Sequence, residues 1–491
     1  MARYNSRKAY KAPAPIEHQP RVVRDWSSYQ LAIFNEIATG TGNVQVDALA
    51  GTGKTSTNVE GTYYVPAGMS VLMCAFNKSI QIELAARAKA GITVLTLHSL
   101  GLRAIKRVYP KVVVDNWKLD GYVKAEKGEE RKTLELRDNL KKAVSLAKGY
   151  LADTAEEIAE IMDKHDVDPC DEPRSTFIAI VQKIMIACKN DVARIDFDDM
   201  IWFPIVHKMN LEKYDFVFID ESQDLNKSQI ELALGSCKPG GRVISVGDEY
   251  QAIYGFRGAD SNAIQNIVDR MESKRLPLSV TYRCAKSIVK EAQVYVPAIQ
   301  AAANAKEGIV ADLPASKLVE SVKPGDFILS RINAPLIGYC FELIKAGIPA
   351  NIQGREVGKG LSALIKKSKC SDVIEFLQWL QTWREFECMR LSALNKSVDL
   401  VNDKADCLEA FCEGCKTLAE VNAAIEKIFT DGDDKSRVIL SSTHKAKGLE
   451  RERVYILRDT YRPNKGQEEV NLMYVAITRA ISELYYVRGN R

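Results

Sequence analysis

Short apolar runs separated by longer stretches of helical periodicity set the rhythm of this chain. Asn43–Asp47 (NVQVD), Val71–Ala75 (VLMCA), Phe216–Ile219 (FVFI) and Val243–Val246 (VISV) are four such runs. Runs like these are expected of strands covered on both faces, as in a parallel sheet flanked by helices. A second set follows at Phe327–Ser330, Val438–Ser441, Val454–Leu457 and Leu484–Val487. Two α/β units account for the two sets better than one, and 491 residues are too many for one ordinary core. Two stretches, at about 107–194 and about 361–434, break the rhythm and are mostly helical in pattern. Each lies inside an α/β unit rather than between units. The expected architecture is therefore α/β: two parallel-sheet domains, each with a mainly helical insertion. Residues 1–23 read as a flexible basic arm, 24–275 as the first domain and 276–491 as the second.

Composition changes this picture little. Hydrophobic residues make up 46% and charged residues 27%, ordinary for a globular chain. The net charge of +4 permits nucleic-acid binding without demanding it, since a binding groove needs local rather than total charge. In the arm, Arg3, Arg7, Lys8, Lys11 and Arg21 face one acid, Glu17. That makes it either a nonspecific DNA tether or, more plainly, a solvated tail. No apolar run is long enough to span a bilayer, and the basic, polar start lacks the apolar segment of a secretory signal. The expected location is cytoplasmic, nucleoid-associated or in a phage-infected cell, with the nucleus left open. The 11 cysteines are scattered and odd in number, which fits reduced thiols. Cys407, Cys412 and Cys415, with Cys370 or Cys388 as a fourth ligand, have the spacing to begin a zinc site. No second Cys-x-x-Cys completes it, and the segment reads equally as an amphipathic helix with cysteines as small apolar residues.

The chemistry begins directly after the first run. In Ala48-Leu49-Ala50-Gly51-Thr52-Gly53-Lys54-Thr55-Ser56, the Gly-Lys-Thr core is a phosphate-loop signature, with Ala48 where the first Gly usually stands. Gly51 and Gly53 let backbone N–H groups wrap phosphate oxygens around Ala50 and Thr52, and the helix that starts after them favours anions. Lys54 is placed for the β and γ phosphates, and the Thr55 hydroxyl, beside Ser56, for Mg²⁺. The run Phe216–Ile219 ends in Asp220-Glu221-Ser222-Gln223-Asp224. A buried strand delivering adjacent carboxylates at its carboxyl end suits Asp220 to hold Mg²⁺ and Glu221 to orient and deprotonate a water. ATP and Mg²⁺ are the expected ligands.

With these motifs in place, the chain resembles superfamily 1 DNA helicases of the UvrD/Rep-like branch across both α/β units. The resemblance is carried by Gln30, by Phe76-Asn77-Lys78, by Thr96-Leu97-His98-Ser99 and by Asp196-Phe197-Asp198-Asp199. It continues through Gly247–Gly258 (GDEYQAIYGFRG), Thr281-Tyr282-Arg283, Thr443–Glu450 (THKAKGLE) and Tyr474–Ala480 (YVAITRA). It implies two RecA-like motor domains with ATP between them. Gln30 would read adenine, Tyr282 stack on it, and Glu450 reach the ribose. Gln251 would sense the γ-phosphate, with Arg283 and Arg479 as arginine fingers. Phe76 and Phe256 would stack on bases, Phe256 standing where the family commonly carries Trp. Thr96, His98, Ser99 and Thr443 would contact the DNA backbone. The implied activity is ATP-driven 3′-to-5′ translocation on single-stranded DNA and unwinding at single-strand/duplex junctions. The rivals are a translocase that displaces bound proteins with little unwinding, and a non-enzymatic nucleotide-dependent binding module. The intact set Glu221, Gln251, Arg283 and Arg479 speaks against the last.

Overall fold

The computed structural model describes residues 21, 24–75, 77–128, 134–253, 255, 262–393, 397–413, 415–431 and 434–489. Phe76, Phe256 and all of the expected arm except Arg21 lie outside the described residues. Arg21 is tied down: its guanidinium pairs with the buried carboxylate of Glu60 at 2.5 Å.

The first sheet has six parallel strands, in the order Thr93–Thr96, Val71–Ala75, Tyr214–Ile219, Cys237–Gly247, Val44–Ala48, Lys274–Leu278. Asp47 is level with Gly247, and Ile219 with Ser245, so the carboxyl ends of three neighbouring strands stand in one row. That is the edge where open α/β sheets bind ligands. The second sheet has seven parallel strands, in the order Ile309–Pro314, Ala480–Arg488, Arg451–Leu457, Phe327–Ser330, Val438–Ser442, Ala350–Gln353, Phe429–Thr430. The architecture is two parallel-sheet α/β domains. Lys274–Leu278 (KRLPL) closes the first sheet, so the crossing to the second falls after Leu278. Both Lys274–Leu278 and Ile309–Pro314 are edge strands. Their charges and prolines are tolerated there because one side of the strand needs no ladder partner, and those same residues hide them from a search for apolar runs.

The first helical stretch comprises Lys118–Lys127, Leu134–Tyr150, Ala155–Lys164 and Arg174–Asn190. These helices close around a core of their own, with Val123, Leu140, Val144, Phe177 and Val181 buried beside Trp202 and Phe203. Its neck is a parallel ribbon, Val113–Val114 against Arg194–Ile195. Below the ribbon lies a buried charge cluster. Lys118 Nζ is 2.7 Å from Asp199 Oδ2, and Lys148 Nζ is 2.8 Å from Asp199 Oδ1 and 2.9 Å from Asp196 Oδ2.

The second helical stretch, Arg355–Ser368, Val373–Ala393, Asp399–Cys412 and Leu418–Ile428, is built differently. Its Phe376, Leu408 and Phe411 share one apolar core with Ile328, Ile352 and Leu440 of the second sheet. Cys407 and Cys412 are buried in that core, Cys370 and Cys415 pack against it, and Cys388 Sγ lies 3.6 Å from Asn402 Oδ1. Among the described residues, no group of three or more histidine, cysteine or acidic side chains is arranged to hold a metal ion. The two insertions meet at Arg390, which bridges to Asp168 and Glu135.

Candidate active site

The phosphate loop leaves the strand Val44–Ala48 and enters the helix Lys54–Gly61 through two left-handed glycines, Gly51 (φ 70°) and Gly53 (φ 84°). A Cβ on Gly51 would lie 2.4 Å from Thr281 Oγ1 and 2.6 Å from Arg283 Cβ, so glycine is required there for both conformation and space. Thr52 is buried and its hydroxyl donates to the Leu49 carbonyl at 2.8 Å, which holds the loop's curl. Lys54 Nζ reaches back to the Ala48 carbonyl at 3.4 Å and stands 3.9 Å from Asp248 Oδ2. The Ser56 hydroxyl accepts from Arg24 and Arg87. Gln30 sits above Gly53, but its amide is engaged within the chain. Oε1 accepts from the Ser27 N–H in a capping box, and Nε2 donates to Thr57 Oγ1 at 3.0 Å.

Opposite the loop, Thr55 Oγ1 lies 3.4 Å from Asp220 Oδ2. Burial, and next to it the charge of Glu221, push the Asp220 carboxyl up to about 7. Burial also works against ionising Glu221. There, Lys54, Lys447 and the hydrogen bond from Gln223 Nε2 (2.5 Å) outweigh it, and the net shift is downward. Glu221 is therefore a carboxylate. It also holds a left-handed backbone (φ 51°, ψ 45°) that a residue with a side chain rarely adopts. Gln223 Oε1 accepts from the Asp248 N–H at 3.0 Å, and Gln251 Nε2 donates to Asp248 Oδ2 at 2.5 Å, so the acidic strand end and the next strand end are linked.

The second domain meets this site directly. Leu49 and Ala50 of the phosphate loop are packed into the apolar cluster of the second sheet. Tyr282 donates its N–H to the Gly51 carbonyl at 2.9 Å while its ring stays 51% exposed. Arg283 donates to the Thr478 carbonyl and pairs with Glu450. Arg479 is wholly buried. It donates to the carbonyls of Val475 (3.0 Å) and Leu449 (3.2 Å), and burial followed by repulsion from Arg283 lowers it to about 10, so it remains a cation at neutral pH. A cavity of about 610 Å³ is bordered by Lys54, Thr55, Glu221, Gln251, Arg283 and Arg479 together.

Several residues at this junction had no individual role in the sequence reading. The Tyr474 hydroxyl accepts from the Ala50 N–H at 2.9 Å. Asn471 Nδ2 donates to the carbonyls of Glu249 and Ala252. Lys447 Nζ contacts both Asp224 oxygens and the Gln251 carbonyl, each at 2.7 Å. Tyr474 and Lys447 lie inside quoted motifs, so the motif signal was present, but their partners are more than 190 residues away in sequence.

The expected nucleic-acid contacts divide. Thr96 caps the helix Leu97–Val108, accepting from the Ser99 N–H, and its hydroxyl is bonded to that of Ser99 at 2.9 Å. His98 follows at the helix start, and burial lowers it to about 4, so it is neutral at physiological pH. Its ring stacks on Phe197 with centroids 3.8 Å apart, and Phe197 is 56% exposed. Phe197 was legible only as part of Asp196-Phe197-Asp198-Asp199. In the structure, Asp196 and Asp199 are buried against lysines while the ring between them stays outside. Thr443 departs from expectation. Its side chain is 0% exposed and its hydroxyl bonds to that of Tyr461, which leaves no surface for a phosphate in this conformation.

Residues 30–272 match the UvrD/REP helicase N-terminal domain, and residues 256–488 match the UvrD-like helicase C-terminal domain. The chain belongs to the UvrD/REP helicase family. Among curated members of this helicase group it is similar to F-box DNA helicase protein 1 of Schizosaccharomyces pombe, with 28% identity over 304 residues, covering 55% of this chain and 34% of that protein. It is 25% identical over 485 residues to F-box DNA helicase 1 of Gallus gallus, covering 89% of this chain and 46% of that one. ATP-dependent DNA helicase PcrA of Staphylococcus aureus is 36% identical over 110 residues, covering 20% and 15%. The chain thus spans a third to a half of the length of the two F-box helicases that it resembles over most of its length. No described helix is long and apolar enough to cross a membrane.

Proposed function

We propose that this UvrD-like chain hydrolyses ATP to move 3′ to 5′ along single-stranded DNA and to separate strands at single-strand/duplex junctions. One observation carries the ATP part: Lys54, Thr55, Glu221 and Gln251 of the first domain border the same cavity as Arg283 and Arg479 of the second. In this reading the phosphate loop from Ala50 to Ser56 and the Lys54 ammonium bind the β and γ phosphates. Glu221, held ionised and oriented by Gln223, accepts the proton of the attacking water. Gln251 registers the γ-phosphate through its link to Asp248. Arg283 exchanges Glu450 for phosphate, and Arg479 exchanges backbone carbonyls for it. Each exchange requires the second domain to shift against the first, which ties turnover to domain motion. Such fingers are worth roughly 10³–10⁵ in rate because they stabilise charge on the transferring group. The buried, proton-hungry Asp220 beside Thr55 is an anion short of positive charge, which fits a divalent cation. Mg²⁺ bound there would supply charge to the phosphate oxygens. The exposed Tyr282 ring is assigned to stack on adenine, Gln30 to read its edge and Glu450 to reach the ribose.

Polarity rests on the form of Gly247–Gly258 and Thr443–Glu450 alone. ATPase activity is expected to be low alone and strongly stimulated by single-stranded DNA. A duplex with a 3′ tail is expected to be unwound and one with only a 5′ tail left intact. Preference for the 5′ tail overturns the polarity. An ATPase indifferent to nucleic acid overturns the motor. One feature favours a protein-displacing translocase as second reading: the second insertion is short and fused into the core of its sheet. That reading predicts stimulated ATPase with neither tail unwound.

A further inference from the structure

We infer that Trp117, on the neck of the first helical insertion, is a base-stacking residue that extends the His98–Phe197 pair into a longer platform for single-stranded DNA. The inference rests on the motor reading above and names a residue of its track. Among the described residues, Trp117 is the most exposed large hydrophobic side chain, at 76%. Leaving an indole in water forgoes burial worth roughly 2 kcal/mol or more, so an indole held outside on a rigid mount calls for a partner.

The mount is rigid. The ribbon pairs Val114 with Ile195, and the Asp115 N–H donates to the Ile195 carbonyl at 2.8 Å, so the two chains run side by side past the ribbon. Three residues beyond Val114 comes Trp117, and two beyond Ile195 comes Phe197. The next anchor on each chain is the same ion pair: Lys118 Nζ to Asp199 Oδ2, with both side chains fully buried. Trp117 and Phe197 therefore each stand in the turn just beyond one of the two paired strands of the neck. Both are held from below by a single buried salt bridge and both are turned to solvent. Val113 and Val114 are also exposed, one on each face of the ribbon.

The occupant follows from the chemistry. Stacking on Phe197 is already used by His98, a flat ring that burial keeps neutral, so the platform is aromatic rather than ionic. On the helix Leu97–Val108, Lys106 lies eight residues after His98, about 12 Å further along the axis, and is exposed, a cation for a phosphate farther along a strand that passes the rings. Aromatic faces with a cation farther along are what a strand of any sequence requires. A protein partner would ask for a wider apolar face than this strip.

The test uses the full chain with fluorescein-labelled oligothymidylate, short and long, read by anisotropy. Trp117→Ala is expected to weaken binding of the long oligonucleotide by about tenfold, the scale of one stacked base, and to leave the short one, seated at the motor cleft, unchanged. Trp117→Phe should restore most of the loss, and ATPase without DNA should not change. Equal affinity of wild type and Trp117→Ala for the long oligonucleotide overturns the inference while leaving the motor reading intact. Equal weakening for short and long also overturns it, because a structural disturbance acts at every length. Failure of the wild type to bind any single strand overturns both readings together.

Discussion

Glu221 concentrates the chemistry of the site at the scale of one residue. It is half-buried at the cavity wall, ionised and held in a left-handed backbone, with its carboxylate fixed by Gln223. Glu221→Gln keeps size and hydrogen bonding but cannot accept a proton. ATP binding is expected to persist while turnover falls by at least a hundredfold, on the scale of general-base loss. Lys54→Ala removes a charge from the phosphates, so nucleotide binding itself should weaken along with turnover. Fluorescent-nucleotide titration and single-turnover hydrolysis separate the two. Glu221→Gln turnover within tenfold of wild type would remove its assignment as base. These two residues were legible because each chemistry needs a local pattern: glycines before Lys54, an apolar strand before Asp220. Tyr474, Asn471 and Lys447 were not individually legible. Their function is a distance to a segment far away in sequence, and no local spacing encodes that.

Among elements, the neck of the first insertion is the most demanding. It buries Lys118 and Lys148 with Asp196 and Asp199. Burial opposes charging Lys148, but Asp199 and Asp196 outweigh it and the net shift is upward. Lys148→Met leaves Asp199 with Lys118 and takes from Asp196 its lysine partner, and breaking a buried pair on one side costs roughly 3–5 kcal/mol. Urea unfolding should show a loss of that size, with hydrogen exchange rising first in the helices of the insertion. A loss below about 1 kcal/mol would mean that the cluster is hydrated rather than sealed. The apolar runs located the central strands of both sheets because those strands are covered on both faces. The same criterion passed over Lys274–Leu278 and Ile309–Pro314, whose edge positions release them from it. Asp196–Asp199 was legible only as a motif of the family resemblance, since three acids in four residues give no local sign of burial, yet Asp196 and Asp199 are among the most deeply buried charges at the neck.

At the scale of the whole molecule, Lys447 ties the domains together. Its ammonium bonds Asp224 and the Gln251 carbonyl across the cleft. Burial raises Asp224 to about 6, with Lys447 acting to lower it. A carboxyl raised on folding contributes stability at low pH and loses it as pH rises through the folded value. Lys447→Met removes the offsetting charge. The variant should therefore lose stability relative to wild type as pH rises above about 6, and match it more nearly below. Asp224→Asn in the same background should recover the part of the loss that titrates near 6, leaving only what Glu221 loses with the Lys447 cation. Thermal unfolding of the three proteins across pH checks this, and a difference independent of pH would show that Lys447 acts by packing alone. DNA-stimulated ATPase should fall in Lys447→Met, because closure around Arg283 and Arg479 loses one of its cross-links.

The sealed neck has a consequence for how the protein answers ionic strength. Its ion pairs lie out of reach of dissolved salt, which screens exposed charges beyond a Debye length of about 8 Å under physiological conditions and leaves buried ones nearly untouched. A grip on phosphates through surface cations such as Lys106 behaves oppositely, weakening steeply with the logarithm of salt as counterions return to the strand. The same attraction between lysine and an anion is thus permanent inside the neck and reversible at the surface. On the proposed track, salt is expected to strip the protein from DNA long before it loosens the frame beneath Trp117 and Phe197.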